Sequence, residues 1–248
     1  MLQTLRTARG IARSLYIYYG DRPRIAAMDR LYSRFVQPGD LVFDIGAHVG
    51  DRVASFRRLG ARVVAAEPQP APAKVLRLLY GRSRSVVIET VAVGRAAGTI
   101  DMMINPDNPT ISTASSEMVS AARDAAGWET QRWRQAIRVP VTTLDLLIAR
   151  HGMPTFIKID VEGFEHEALL GLSQTVNAMS FEFTTIQRDV ALACVERCVA
   201  LGFKQFNAAL GESQTFFHSD WVAGVDIAAW ITELPHSANS GDNYVSLA

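Results

Sequence analysis

Apolar runs of strand length alternate with segments of helical periodicity along most of this chain. Each run of apolar or β-branched residues is followed by a segment whose apolar positions recur every three or four residues. Such alternation predicts a parallel sheet that is covered by helices on both faces. The predicted strands are Leu41–Ile45, Arg62–Ala66, 86–90 running into 91–93, 137–141, 156–160 and 179–183, and the predicted helices lie near 53–59, 71–80, 143–151, 165–172 and 190–201.

Two regions depart from this alternation. Gly98–Ile104 looks like a further strand, but the segment 105–116 is a polar loop of Pro, Asn, Ser and Thr without an apolar period. Loops of this length tend to be functional or mobile. Near the end, the segments 203–208 and 214–218 are separated by a Leu-Gly-Glu turn and predict a closing antiparallel hairpin. A short helix near 225–233 and a polar tail follow.

Length and composition favour one large α/β domain. The chain has 248 residues, and no internal repeat or long linker divides it, so we expect a helical extension over 1–38 followed by a single domain over 39–248. The 25 basic residues balance the 25 acidic ones, which disfavours general nucleic-acid binding. Cys194 and Cys198 are four residues apart in a helical pattern and have no metal-binding neighbours, so we interpret them as buried small hydrophobic residues.

The first twenty residues are basic but have no sustained apolar core and no small-residue cleavage site, which argues against a secretory signal. No stretch reaches the ~20 apolar residues of a membrane span. We therefore expect a cytoplasmic protein. The segment with Arg6, Arg9 and Arg13 predicts a helix packed on the domain, and a weak contact with an anionic membrane surface is the alternative.

The most informative segment is LVFDIGAHVG at 41–50, where a buried strand ends in an acid and a glycine turn. Gly46 permits a sharp turn, Gly50 lets the next helix pack closely, and the N–H groups of that helix start would face a ligand. A plain tight turn between a strand and a helix would use glycine in the same way. The residues around this segment decide between the two interpretations.

Acidic residues end three of the predicted strands. Asp44 and Asp160 each precede a glycine turn, and parallel strands place such ends at one edge of the sheet, where ligands of open α/β sheets bind. Glu67 ends a strand about 20 residues after the first glycine, which is the spacing at which an acid binds a ribose hydroxyl pair. The alternative for Glu67 is a hydrogen bond to a helix start. Together the three acids predict a nucleoside-type ligand.

The glycine turn argues against a dinucleotide. A pyrophosphate calls for G-x-G-x-x-G, but this turn lacks the middle glycine, and Asp51 at the helix start would repel phosphate. A nicotinamide-dependent oxidoreductase is therefore the alternative rather than the main hypothesis. S-adenosylmethionine has no phosphate, its ribose suits Glu67, and its sulfonium cation tolerates an acidic pocket.

The chain resembles the FkbM-type class I methyltransferases in several segments. These are VFDIGAHVG at 42–50, AEP at 66–68, AVG at 92–94, VPVTTLD at 139–145 and, most specifically, FIKIDVEGFE at 156–165. The resemblance covers about residues 39–183. It implies a Rossmann-like, seven-stranded, mostly parallel sheet whose last strand is antiparallel, in agreement with the hairpin that the hydrophobic pattern predicts.

The resemblance also implies positions for S-adenosylmethionine. Residues of the first glycine turn would surround its methionine part, Glu67 would hold the ribose, and the segment 89–92 would border the adenine. His48 stands where the family often has asparagine, and a neutral imidazole can still donate or accept a hydrogen bond there. The residues expected to bind the cofactor are Asp44, Gly46, Ala47, His48, Gly50, Glu67, Pro68, Glu89, Ala92 and Asp160.

Methyl transfer needs alignment of the reactants and a group that takes a proton from the acceptor. Asp160 and Glu162 follow one strand, and Glu182 lies between two phenylalanines on the next, so we expect these three to be the catalytic residues. Glu165, Glu167 and His166 are more typical of a helix start or its exposed face. Only the three catalytic candidates could supply metal ligands, and we expect no metal.

The sequence thus predicts an S-adenosylmethionine-dependent methyltransferase. By the resemblance, it would methylate a hydroxyl group on a small molecule, sugar or glycolipid. The loop 105–116, with Trp128, Trp133 and Trp221, could form a lid and a stacking surface over the acceptor. Besides the oxidoreductase, the other alternative is a module that binds the cofactor without catalysis.

Overall fold

The computed structural model describes residues 2–247, and the side chains from residue 5 onwards. The helices are α1 (Leu2–Gly20), α2 (Arg22–Tyr32), α3 (Asp51–Arg58), α4 (Pro70–Tyr80), α5 (Ser116–Arg123), α6 (Leu144–His151), α7 (Glu165–Leu170), α8 (Arg188–Ala200) and α9 (Gly224–Glu233). The strands are β1 (Leu41–Ile45), β2 (Arg62–Ala66), β3 (Val86–Glu89), β4 (Ala92–Val93), β5 (Gly98–Ile104), β6 (Gln135–Thr142), β7 (Phe156–Ile159), β8 (Ala178–Thr184), β9 (Gln205–Leu210) and β10 (Ser240–Ser246).

Seven strands form the central sheet in the order β3-β2-β1-β7-β8-β10-β9. Neighbouring strands from β3 to β8 are parallel, and β10 runs antiparallel to both β8 and β9. One apolar core joins α6, α7, α8 and α9 to the sheet, and a second lies under α2, α3 and α4. The predicted α/β fold is therefore confirmed, with helices on both faces and antiparallel C-terminal strands.

The closing antiparallel pair has a different second strand from the one predicted. The segment 214–218 is an irregular loop that follows β9, and β9 pairs with β10 from the expected polar tail. The sequence of β10 is SGDNYVS, in which Asp242 and Asn243 are buried polar residues. A strand whose polar side chains are buried does not show the apolar pattern on which the prediction relied.

A second, three-stranded sheet has the order β4-β6-β5 and carries a small core of its own. The prediction that strand 86–90 continues into 91–93 was wrong, because β4 leaves the central sheet and pairs with β6. The loop after β5 is largely buried and ends at α5. The prediction missed this helix. Ser115 caps α5 by accepting a hydrogen bond from the Met118 N–H. A serine at this position is a typical start of a helix, and it was the feature of the sequence from which α5 could have been predicted.

The N-terminal helices pack on the domain. Tyr19 donates a hydrogen bond to the Val49 carbonyl at 3.0 Å, and its hydroxyl lies 2.8 Å from that of Tyr80. Asp29 of α2 binds both Ser55 and Arg58 of α3. The boundary at residue 38 remains a prediction. Within residues 2–247, no helix combines the length and the apolar character that crossing a membrane requires. Cys194 and Cys198 are buried and unbonded to each other, as expected.

A buried ion pair crosses the centre of the sheet. Lys158 of β7 is fully buried, and its Nζ donates to Asp242 of β10 at 2.7 Å. The same Nζ lies 3.2 Å from Oδ2 of Asp160 at the end of β7. Lys158 therefore balances charge from two carboxylates at once. Removing one partner of a buried pair leaves an uncompensated charge, which costs more than the pair contributes.

We expect Lys158→Met to lower the free energy of unfolding by about 3–5 kcal/mol, because both carboxylates lose their cation. Urea unfolding followed by circular dichroism measures the change. Arg138→Met is the matched control, since Arg138 and its partner Asp101 are exposed and such pairs contribute little. Equal stability of Lys158→Met and the native chain would show that the pair does not hold these strands together.

Candidate functional site

A cavity of about 250 Å³ opens at the carboxyl ends of the parallel strands. It lies outside β1, β2, β7 and β8, which is where open α/β sheets bind ligands. Segments of the second sheet and the loop that follows β5 form the opposite wall. Of the predicted site residues, the cavity is lined by Asp44, Gly46, Ala47, His48, Glu67, Pro68, Ala92, Asp160, Glu162 and Glu182.

The glycine turn brings two strand ends into contact. Gly46 has a φ of +85°, and its N–H and that of Ala47 donate to the Ala66 carbonyl at the end of β2. A Cβ at position 46 would lie 1.7 Å from the Asp160 carbonyl oxygen. Only glycine therefore allows β1 and β7 to end this close together.

Glu67 is held rigidly at the wall of the cavity. One carboxylate oxygen accepts the His48 N–H at 2.9 Å, and the other accepts the Gln69 N–H at 2.7 Å. Burial raises the pKa of Glu67 to about 7, although both N–H donors oppose this effect. Each oxygen keeps a further lone pair that can accept a hydroxyl donor from a ligand.

Asp44 and His48 present unpaired polar atoms to the same cavity. Asp44 is 1% exposed, and its Oδ2 has no hydrogen-bond partner within residues 2–247. Burial, reinforced by the Asp51 carboxylate, raises the pKa of Asp44 to about 7. Burial lowers the pKa of His48 to about 4, so its imidazole is neutral, and neither ring nitrogen has a partner in the described chain. Unpaired buried groups of this kind are suited to a polar or cationic ligand.

Three carboxylates converge beside this polar wall. One oxygen from each of Asp160, Glu162 and Glu182 lies within 4.8 Å of the others. Oε2 of Glu182 is buried and has no hydrogen-bond partner in the part of the chain that the structure describes. Burial, together with the Asp160 carboxylate, raises the pKa of Glu162 well above its usual range. Burial and the Glu162 carboxylate do the same to the pKa of Glu182.

The backbone holds Glu162 in an uncommon conformation. Its φ is +56°, and its carbonyl accepts the Thr113 hydroxyl at 2.6 Å. The loop after β5 therefore fixes the turn that follows β7. Glu165, the first residue of α7, is structural, because its carboxylate accepts the Val161 N–H at 3.0 Å. His166 does not line the cavity.

Some predicted residues lie elsewhere. Gly50 directly precedes α3 and has a φ of +85°, and a Cβ there would come within 2.7 Å of Leu76 and Tyr80, so it serves helix packing. Glu89 accepts hydrogen bonds from Arg150 at 2.9 Å and lies 2.9 Å from the His151 ring. Neither Gly50 nor Glu89 lines the cavity, although Ala92 does.

The expected acceptor wall is formed only in part. Trp128 lines the cavity, together with Thr110, Ile111, Ser112 and Ala114 of the loop 105–116. Trp133 instead donates its ring N–H to the Ile111 carbonyl at 2.8 Å. Trp221 packs against Phe35 and Phe216, away from the site. Ordinary packing thus accounts for two of the three tryptophans.

The sequence did not indicate three further residues that line the cavity. Tyr18 of α1, Arg52 of α3 and Glu212 of the loop after β9 all line it. Arg52 donates to Asp51 at 2.8 Å and to Glu212 at 3.2 Å, while its buried Nε has no partner among the described residues. Arg24 binds the same two carboxylates. These residues are far apart along the chain, so no local motif could reveal them.

Comparison with known proteins identifies a matching family and one curated relative. The Methyltransferase FkbM domain matches residues 44–233. The 31-O-demethyl-FK506 methyltransferase FkbM of Streptomyces tacrolimicus is 29% identical over 199 residues, which cover 69% of this chain and 76% of that protein.

Solved structures resemble the chain more distantly. A precorrin-6y C5,15-methyltransferase from Geobacter metallireducens has a TM-score of 0.43 at 12% identity. The match covers 91% of this chain and 87% of the chain of that enzyme. A TehB-like SAM-dependent methyltransferase from Corynebacterium glutamicum has a TM-score of 0.45 at 11% identity. The match covers 89% of this chain and 86% of the chain of that protein. Likenesses at this level carry no functional information.

We expect Gly46→Ala to lower the free energy of unfolding by at least about 2 kcal/mol, because the new Cβ meets the Asp160 carbonyl and the backbone has a positive φ. Thermal unfolding by calorimetry measures the loss. Gly98→Ala is the control, since a Cβ at position 98 has no neighbour within 4 Å. If the two variants were equally stable, the ends of β1 and β7 would not be in the close contact described.

Proposed function

The chain belongs to the FkbM methyltransferase family and is an S-adenosylmethionine-dependent methyltransferase; we propose that it methylates a hydroxyl oxygen of a small-molecule, sugar or glycolipid acceptor. The observation that carries this proposal is the convergence of Asp160, Glu162 and Glu182 at the cofactor cavity. The name of the Streptomyces relative, a 31-O-demethyl-FK506 methyltransferase, supports oxygen as the methylated atom. Family membership counts against the oxidoreductase alternative.

The cavity residues fit the cofactor. We propose that Asp44, whose Oδ2 is buried and unpaired, accepts the amino group of the methionine part. Glu67 would accept the ribose hydroxyls on the lone pairs that its two backbone donors leave free. When bound, S-adenosylmethionine supplies a methyl group on a positively charged sulfur. The acidic wall of the cavity therefore matches the charge of the cofactor.

The three carboxylates differ in how well they can take a proton from the acceptor. Asp160 is already paired with Lys158, whose Nζ lies 3.2 Å from its Oδ2. Glu162 and Glu182 have no ion pair within the described residues, and both face the cavity. We therefore propose Glu162 or Glu182 as the general base, with Asp160 contacting the cofactor or the acceptor.

The N-terminal helices contribute to the proposed site. Tyr18 of α1 lines the cavity, and the Arg24 guanidinium lies 4.9 Å from the centre of its ring. We propose that residues 1–38 form an extension that completes the cofactor wall of the domain over 39–248. A weak contact of this extension with a membrane surface is a separate hypothesis. The exposed side chains of Tyr16 and Ile17 in α1 would make that contact.

We expect Glu182→Gln to reduce kcat for a hydroxyl acceptor by about 10²- to 10⁴-fold, because the amide cannot take up the proton. Transfer of labelled methyl groups from S-adenosylmethionine to a panel of macrolides, sugar glycosides and glycolipids measures the rate. The affinity for the cofactor, measured by calorimetry, should change less than about threefold.

Glu167→Gln is the matched control, because Glu167 binds Arg95 at the surface of α7. Its rate should equal that of the native chain. Methylation of amines alone would refute transfer to oxygen. Cofactor binding without transfer to any acceptor of the panel would favour the silent binding module.

We expect the affinity for S-adenosylmethionine to rise as the pH increases from 6 towards 8. The pKa of Asp44 is raised to about 7, so below that pH its carboxyl is increasingly protonated and cannot attract a cation. The gain should approach tenfold per pH unit below pH 7 and level off above it. The charged groups that act on Asp44 are Asp51, Arg52, Lys158 and Asp160.

Calorimetric titrations at several pH values test this dependence. Asp44→Asn should flatten the profile, leaving a smaller slope from Glu67, whose pKa is also about 7. Asp101→Asn, which changes an exposed acid of β5, should keep the native slope. A steep profile in Asp44→Asn would exclude this carboxylate as a contact of the cofactor.

A further inference from the structure

We propose that Asp160, Glu162 and Glu182 bind one divalent cation of the Mg²⁺ or Mn²⁺ type beside the cofactor cavity, contrary to the expectation from the sequence. Their three ligand oxygens all lie within 4.8 Å of one another. Mg²⁺–oxygen distances of about 2.0–2.1 Å place adjacent ligands about 3 Å apart and opposite ligands about 4.2 Å apart. Small movements of the side chains therefore bring the three oxygens around a single ion.

An independent polar group points to the same place. Thr184 is 6% exposed, and its hydroxyl is buried without a hydrogen-bond partner among residues 2–247. It lies two residues beyond Glu182 on β8, so both side chains project from the same face of the strand and both line the cavity. A buried hydroxyl without a partner is costly, and a cation or its bound water would satisfy it.

The local charge also calls for a cation. Lys158 is a fully buried cation of this region, and its Nζ is already occupied by Asp242 at 2.7 Å and Asp160 at 3.2 Å. Glu162, which is 7% exposed, and Glu182 have no ion pair within the described chain. A buried and a half-buried carboxylate without a counter-ion are unfavourable, and a divalent ion would balance them.

The donor set selects the class of ion. All three side chains offer carboxylate oxygen, which suits Mg²⁺ and Mn²⁺ rather than metals that prefer sulfur or imidazole. Three protein ligands leave positions in the coordination sphere of such an ion that can face the cavity. An acceptor with two neighbouring oxygens could occupy two of them, and the ion would lower the pKa of the hydroxyl that it binds.

The role in hydroxyl activation rests on the proposed O-methylation, whereas binding of the ion does not. Each carboxylate would give one oxygen to the ion and keep the other. Glu162 or Glu182 could therefore still take up the acceptor proton. The Thr113 contact with the Glu162 carbonyl and the Lys158 contact with Asp160 hold two of the three ligands in place before an ion arrives.

Direct binding of Mn²⁺ tests the proposal. Protein that has been treated with a chelator and dialysed is titrated with Mn²⁺, and free ion is measured by electron paramagnetic resonance. We expect one ion per chain, displaced by Mg²⁺. Glu182→Gln and Asp160→Asn should weaken binding at least about tenfold, and Thr184→Val should weaken it less. Glu167→Gln, at the surface of α7, should bind like the native chain.

Circular dichroism and cofactor titration of each variant separate loss of the ion from loss of the fold. If a charge variant fails to fold, the milder Thr184→Val and the native chain still decide the question. No binding to the native chain at about 1 mM Mn²⁺ would overturn the proposal. Equal binding by the native chain and all folded cluster variants would also overturn it, since the ion would then be bound elsewhere.

Activity with and without the ion distinguishes this proposal from the proposed function. Full methyl transfer to a hydroxyl in the presence of a chelator would leave O-methylation standing and remove the metal from it. Mn²⁺ binding that depends on Glu182, without transfer to any hydroxyl acceptor, would keep the metal site and refute O-methylation.

Discussion

The excess of buried carboxylates at one edge of the sheet is the constraint on which the structure of the site depends. Parallel strands bring their carboxyl ends together, and here β1 and β7 both reach that edge beside acidic residues, while β8 adds Glu182. Lys158 compensates Asp160 and Asp242 from within the sheet. Asp44, Glu162 and Glu182 have no ion-pair partner among the described residues, and a cationic cofactor would balance part of their charge.

Close backbone contacts make this concentration of charge possible. Gly46 lets the turn after β1 touch the Asp160 carbonyl, and the same turn delivers the His48 N–H to Glu67. Two main-chain N–H groups thus hold the Glu67 carboxylate in place. Arg24 and Arg52 join α2 and α3 to Glu212 in the loop after β9, so ion pairs connect two segments that line the cavity.

The sequence predicted the elements that have a regular apolar period and a local motif. β1 and β2 were predicted with their observed bounds, and the strand-end acids Asp44, Glu67 and Asp160 line one cavity as expected. Prediction failed at β10, because Asp242 is buried against Lys158 from β7 and interrupts the apolar pattern. Tyr18 and Glu212 were missed because they reach the cavity only through tertiary packing. Gly50 was assigned to the ligand, although its closest neighbours belong to α4.

We propose above all that the cavity outside β1, β2 and β7 holds S-adenosylmethionine. The most direct measurement is a crystal structure of the protein grown with S-adenosylhomocysteine, read at the distances from the ligand to Glu67 and Asp44. We expect both ribose hydroxyls within hydrogen-bond distance of the Glu67 carboxylate and the amino group within hydrogen-bond distance of Asp44. A ligand bound elsewhere, or one whose ribose does not contact Glu67, would contradict it.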